Sequence, residues 1–158
     1  MKSDWLETSI GNCIEVSNGK TKPSEKGSYS VFGSNGEIGK CKSTNAPENT
    51  IIIGRVGSYC GSVHFSQKKC WVTDNAMKAV AKENSDARFF YYLLKKYDLG
   101  RLRGGSGQPL LNQSIINSIE ISSPPKKDQK AISHILGTLD EKIELNKKTN
   151  ETLEEIAK

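Results

Sequence analysis

Six side chains are of the types that carry metal or nucleophilic chemistry: Cys13, Cys41, Cys60, Cys70, His64 and His134. Cys60, His64 and Cys70 are near neighbours in sequence, which opens a zinc reading. That site would need a fourth ligand, and its spacing is unlike the paired cysteines of structural zinc sites. Buried thiols beside a strand histidine are the simpler reading. The cysteines are widely spaced with no C-x-x-C pair, so a reducing compartment would leave them as thiols. Phosphate-loop chemistry also fails. Gly39-Lys40 is followed by Cys41, where a Ser or Thr must hold Mg²⁺, and the first glycine of the loop falls on Ser34. A metal-dependent nuclease uses a carboxylate two residues before a lysine. No such pair occurs in residues 1–123; Asp128/Lys130 and Asp140/Lys142 fall on a later helical surface. Neither histidine has a plausible nucleophile partner. The sequence therefore points to no catalytic residue and no metal ligand.

What remains is chemistry for binding. Lys20, Lys22, Arg55, Arg101 and Arg103 can clamp phosphates, and an arginine can also take guanine bidentately. Asn35 and Gln108 can read adenine; Tyr59 and Ser106 sit in the same kind of glycine-punctuated loop. For any one of them a solvated surface residue is the alternative. The net charge is +5, and its distribution is uneven. Residues 1–123 carry 16 Lys/Arg against 11 Asp/Glu, whereas residues 124–158 carry seven of each. The positive excess thus belongs to the first segment, and a basic globular piece suits a polyanion. Apolar runs are short, as in Ile51-Ile52-Ile53, so no membrane span is expected. Met1-Lys2-Ser3-Asp4-Trp5 has no apolar signal region, and a cytoplasmic location is expected.

The elements that must position these loops divide near Pro124-Pro125. Short strands are expected at Ile14–Val16, Tyr29–Phe32, Ile51–Val56, Ser62–Phe65, Trp71–Thr73, Met77–Ala81 and Ile119–Ile121. Ile51–Val56 and Ser62–Phe65 read as an antiparallel hairpin. A helix capped by Ser85 or Asp86 puts Phe90, Leu93, Leu94 and Tyr97 on one face. Gly100 suits its C-terminal turn. A basic glycine-rich loop, residues 101–109, follows, and Asn112 can cap a short helical turn.

The second segment reads as one long helix. Ile132, Leu136, Leu139, Ile143, Asn146, Asn150, Leu153 and Ala157 recur in alternating steps of four and three, a heptad seam. Such a helix extends about 50 Å at 1.5 Å per residue. The preceding domain has an expected radius of gyration of about 14 Å. Only part of the seam can be covered by its own domain, so the helix asks for a partner helix. The fold class is α+β: a β-rich domain over 1–123, then a coiled-coil helix over 124–158.

Several segments, in order, resemble one half of the specificity subunit of type I restriction-modification enzymes. They are Gly19-Lys20-Thr21-Lys22-Pro23, then Val31-Phe32-Gly33-Ser34-Asn35-Gly36-Glu37-Ile38-Gly39. Next come Ile51-Ile52-Ile53-Gly54-Arg55-Val56-Gly57-Ser58-Tyr59, Trp71-Val72-Thr73-Asp74-Asn75-Ala76 and Gly105-Ser106-Gly107-Gln108-Pro109. Pro124-Pro125-Lys126-Lys127-Asp128-Gln129-Lys130-Ala131-Ile132 opens the helix. The resemblance implies a target recognition domain that reads half of a bipartite site in double-stranded DNA. It also implies a helix that pairs antiparallel, sets the spacer and docks methyltransferase (M) subunits and, through them, restriction (R) subunits. Methylation with S-adenosylmethionine, and ATP- and Mg²⁺-driven cleavage, then belong to those partners, with no cofactor on this chain.

A full subunit of that family carries two such units, and this sequence holds one. It lacks the aromatic-rich stretch that usually follows the helix, which suggests a half-length subunit. The expectation is a homodimer through Ile132, Leu136, Leu139, Ile143, Asn146, Asn150 and Leu153, reading a palindromic site. The alternatives are a coiled-coil scaffold or decoy that docks methyltransferase without reading DNA, and a small nuclease.

Overall fold

A computed structural model describes residues 4–102 and 110–157 of the 158-residue chain. The strands are β1 (Leu6–Ser9), β2 (Ile14–Asn18), β3 (Tyr29–Gly33), β4 (Gly36–Cys41), β5 (Thr50–Gly54), β6 (Val63–Ser66), β7 (Trp71–Val72), β8 (Ala76–Ala81) and β9 (Glu120–Ser123). The helices are α1 (Ile10–Cys13), α2 (Ala87–Lys96), α3 (Gln113–Asn117) and α4 (Lys126–Ile156). This is the α+β architecture with a long terminal helix that the sequence predicts.

Strand β5 lies at the centre because both of its faces are apolar. It pairs antiparallel with β6 and β8 in the sheet β2-β8-β5-β6. Side chains alternate across a strand. Ile51 and Ile53 accordingly enter the main core with Ile10, Ile14, Met77, Phe90, Leu94, Leu99, Leu111 and Ile116. Ile52 faces the other way, into a smaller core with Ala46, Cys70, Val72 and Ala76. The sheet β4-β3-β7 flanks that smaller core, with β7 parallel to β3. Cys60 and Cys70 therefore fall in separate cores, which removes the zinc reading of Cys60, His64 and Cys70. Among the described residues no group of His, Cys, Asp and Glu is arranged to hold a metal.

Helix α2 is capped by Asp86, whose carboxylate accepts from the Phe89 amide at 2.8 Å. Its end differs from expectation. Asp98, with φ 47°, takes the left-handed position, and Gly100 sits inside a 3₁₀ turn over Leu99–Leu102. Aspartate tolerates that conformation better than most residues, and its carboxylate then pairs with Arg101 at 2.8 Å. Asn112 caps α3 through the Ile115 amide at 2.9 Å.

Strand β9 pairs antiparallel with β1, so the start of the chain is tied to the base of α4. Helix α4 spans 31 residues, about 46 Å at 1.5 Å per residue. Gln129, Ser133 and Gly137 are its buried residues, an i, i+4, i+8 row against the domain. That row lies about a third of a turn round the helix from the apolar seam, at 3.6 residues per turn. Of the expected seam, Ile132 and Leu136 are half-buried, and Ile132 packs on the main core. Leu139, Ile143, Asn146, Asn150 and Leu153 are exposed, as is Ile135 beside them. No helix among the described residues is long and apolar enough to cross a membrane.

Candidate nucleic-acid interface

Three loops meet at one rim of the sheets, and the turn Asp74-Asn75 between β7 and β8 is their hub. The Ser34 hydroxyl, in the β3–β4 turn, donates to the Asn75 carbonyl at 2.5 Å. The Arg55 amide, just past β5, donates to the same carbonyl at 2.9 Å. The Gly19 amide, after β2, donates to the Ala76 carbonyl at 3.0 Å, and the Lys20 amide to the Val72 carbonyl at 3.0 Å. The Ser34 carbonyl is held in turn by the Ser62 hydroxyl, with the His64 Nε2 at 3.3 Å. Backbone groups that would otherwise be unpaired in irregular segments find partners here, so the loops keep one arrangement.

The rim places four of the predicted residues together. Lys20 and Asn35 are exposed beside the hub, Arg55 is partly covered, and Tyr59 is exposed on the 3₁₀ turn Gly57–Tyr59. Lys22 reaches Gly39 on β4, one strand over. Tyr97 and Leu102 are also exposed, and the Tyr97 hydroxyl donates to the Glu120 carbonyl of β9 at 2.9 Å. Arg101 is exposed within the Leu99–Leu102 turn and pairs with Asp98. Arg103, Ser106 and Gln108 lie outside the described residues. Both flanks of their segment are nevertheless fixed to the Arg55–Gly61 loop. Gly61, with φ 90°, sits so close to the Gly100 backbone that a Cβ would overlap it. On the other flank Leu110 bridges Val56, and the Leu111 amide donates to the Arg55 carbonyl at 3.0 Å.

Arg55 has a further property. Its Nε is shut off from solvent and has no hydrogen-bond acceptor among the described residues. A buried, unsatisfied donor is rare in folded proteins. Sequence reasoning selected Arg55 but not its supports. Ser34, Ser62 and Asn75 are the residues that fix the rim, and only the turn-forming pair Asp74-Asn75 carries a local signal for it.

Residues 2–155 match the model of the type I restriction modification DNA specificity domain. The chain belongs to that family. This specificity domain is 32% identical over 80 residues to the type I restriction enzyme MjaVIII specificity subunit of Methanocaldococcus jannaschii. The match takes in 48% of the chain and 19% of that subunit. Its fold is that of the type I restriction-modification S subunit from M. genitalium, at a TM-score of 0.77 and 24% identity over 90% of the chain. It also resembles the HsdS subunit from Thermoanaerobacter tengcongensis, at a TM-score of 0.68 and 14% identity over 92% of the chain. The specificity domain spans 41% and 39% of those two structures.

Proposed function

We propose that the chain is the DNA-reading component of a type I restriction-modification system and recognises one half of a bipartite duplex site. The observation that carries this reading is the convergence of Lys20, Asn35, Arg55 and Tyr59 on one hydrogen-bonded rim, in the segment that holds all of the net positive charge. Lys20 and Lys22 contact phosphates and set position, while Arg55 and Asn35 address base edges. Arg101, Arg103, Ser106 and Gln108 are further candidates for DNA contact by residue type. The chain itself carries no catalytic group. Methyltransferase subunits supply S-adenosylmethionine chemistry, and restriction subunits supply ATP- and Mg²⁺-dependent cleavage.

Two copies pair through the exposed part of α4, with Leu139, Ile143 and Leu153 covered and Asn146 and Asn150 setting register. These three apolar residues are 52%, 53% and 58% exposed in the single chain. Pairing about a two-fold axis presents the two rims in inverted orientation. The test is equilibrium binding of the full chain to its selected duplex across a salt series, for the wild type and Arg55→Ala. Affinity falls with salt as counterions return to the DNA. Arg55→Ala weakens the selected duplex by about 1–3 kcal/mol and relaxes preference at one base pair. Binding that ignores both sequence and Arg55 would instead support the scaffold reading.

A further inference from the structure

Helix α4 packs on the recognition domain through the buried row Gln129, Ser133 and Gly137 and through Ile132, and polar contacts fasten that face at two places. The first is at its base. The Gln129 amide, buried, accepts from the Asp86 amide at 2.8 Å and donates to the Pro124 carbonyl at 2.9 Å and the Ser123 hydroxyl at 3.3 Å. The second lies about two to three turns on. The Arg88 guanidinium of α2 crosses α4 over Gly137, where a Cβ would overlap it, and reaches Glu141 at 3.2 Å and the Gly137 carbonyl at 3.4 Å. One turn further along α2, the Tyr92 hydroxyl donates to Asp140 at 2.7 Å. From Lys142 to Ile156 every residue is exposed.

Two points fix a line. The Gln129 anchor and the Arg88/Tyr92 clasp stand about 12–18 Å apart along the helix at 1.5 Å per residue. The contacts are polar and partly exposed, so they add little stability on their own; what they add is direction. Without the clasp the far end of that face loses its fastening, and the helix keeps only the contacts around Gln129, Ile132 and Ser133. A swing of about 10° there displaces a point 40 Å along by about 7 Å, roughly two base-pair steps of about 3.4 Å.

We infer that the Arg88/Tyr92–Gly137/Asp140/Glu141 clasp is a positioning device that sets the spacing between the two half-sites. This rests on the proposed reading, in which α4 joins two recognition domains. Arg88 and Tyr92 touch no DNA in that arrangement; they act through the direction of the helix.

The test uses the full chain and a panel of duplexes carrying two inverted copies of its selected half-site, separated by successive spacer lengths. A duplex with a single half-site serves as reference. The wild type prefers one spacer at least tenfold over its neighbours one base pair longer or shorter. Asp140→Ala with Glu141→Ala, which leaves the domain untouched and keeps good helix formers, reduces that preference below threefold. The reciprocal pair Arg88→Met with Tyr92→Phe does the same. Single half-site affinity stays within twofold in both. Sharp spacer preference retained in both variants overturns the clasp's role alone. A uniform loss across the panel, single half-site included, also overturns it, because that is the signature of a merely structural contact. A wild type that binds every spacing alike contradicts the bipartite reading and the clasp with it.

Discussion

Ser34 shows how much of the rim depends on short side chains. Its hydroxyl holds the Asn75 carbonyl, and its own carbonyl accepts from Ser62, so one residue ties the β3–β4 turn to two other loops. Ser34→Ala removes the first bond and leaves the core untouched. The expected outcome is a folded protein with a stability loss of about 1 kcal/mol, the usual net worth of one hydrogen bond. Discrimination between selected and random duplex falls more than that loss alone accounts for, because Asn35 and Arg55 lose their common support. Competition binding with both duplexes, alongside urea denaturation, measures the two effects separately. Arg55 was legible from residue type and loop position. Ser34 and Ser62 were not, because a serine that donates across 41 or 28 residues of sequence leaves no local pattern.

At the scale of elements, local rules located seven strands and the capped helices but set most strand ends a residue or two off, and they missed β1, β4 and α1. The Asp86 and Asn112 caps follow from residue type at a helix start. The β5–β6 hairpin follows from β-branched runs about the glycine-punctuated loop that holds Gly57–Tyr59. The β1–β9 pairing and the parallel β3–β7 contact join strands far apart in sequence, and no periodicity announces them. Helix α4 is the instructive case. Its heptad seam was plain, yet the face it turns to its own domain is Gln129, Ser133 and Gly137, which reads as a solvated stripe. Small and polar residues there admit the Arg88 guanidinium rather than an apolar layer.

That clasp has a measurable pH signature. Burial, and then the adjoining Asp140, hold the Tyr92 phenol above its ordinary value, although Arg88 opposes the shift. Its contribution to stability is therefore complete below the ordinary phenol value of about 10 and is lost as pH rises through the folded-state value. Denaturant titrations at neutral pH and above about pH 10 should show a steeper alkaline loss in the wild type than in Tyr92→Phe. Parallel losses in the two proteins would show that the Tyr92–Asp140 bond contributes nothing to holding α4.

For the whole molecule, shape follows from a mismatch of sizes. The domain packs on one face of the first four turns of α4, leaving Leu139 there uncovered, and the remaining half projects with Ile143, Leu153 and Ile156 uncovered. A second copy covers that surface in the proposed assembly. Replacing Leu139 and Ile143 with Asp would bury unpaired charge at the contact, which costs several kcal/mol per ion. Light scattering at tens of micromolar should give a dimer for the wild type and a monomer for that double variant, with unchanged circular dichroism from the recognition domain. A wild type that is monomeric with its helix intact contradicts the dimer.

The central claim, that this chain reads DNA sequence through its loop rim as half of a two-fold pair, is tested most directly by selection from random duplex DNA. The purified full chain is incubated with a randomised library, with and without its methyltransferase partner, and bound duplexes are sequenced over successive rounds. The account predicts enrichment of an inverted repeat: two identical half-sites of opposite orientation, separated by an unread spacer of constant length. No enrichment over the starting library under either condition, with protein that remains folded, would contradict it.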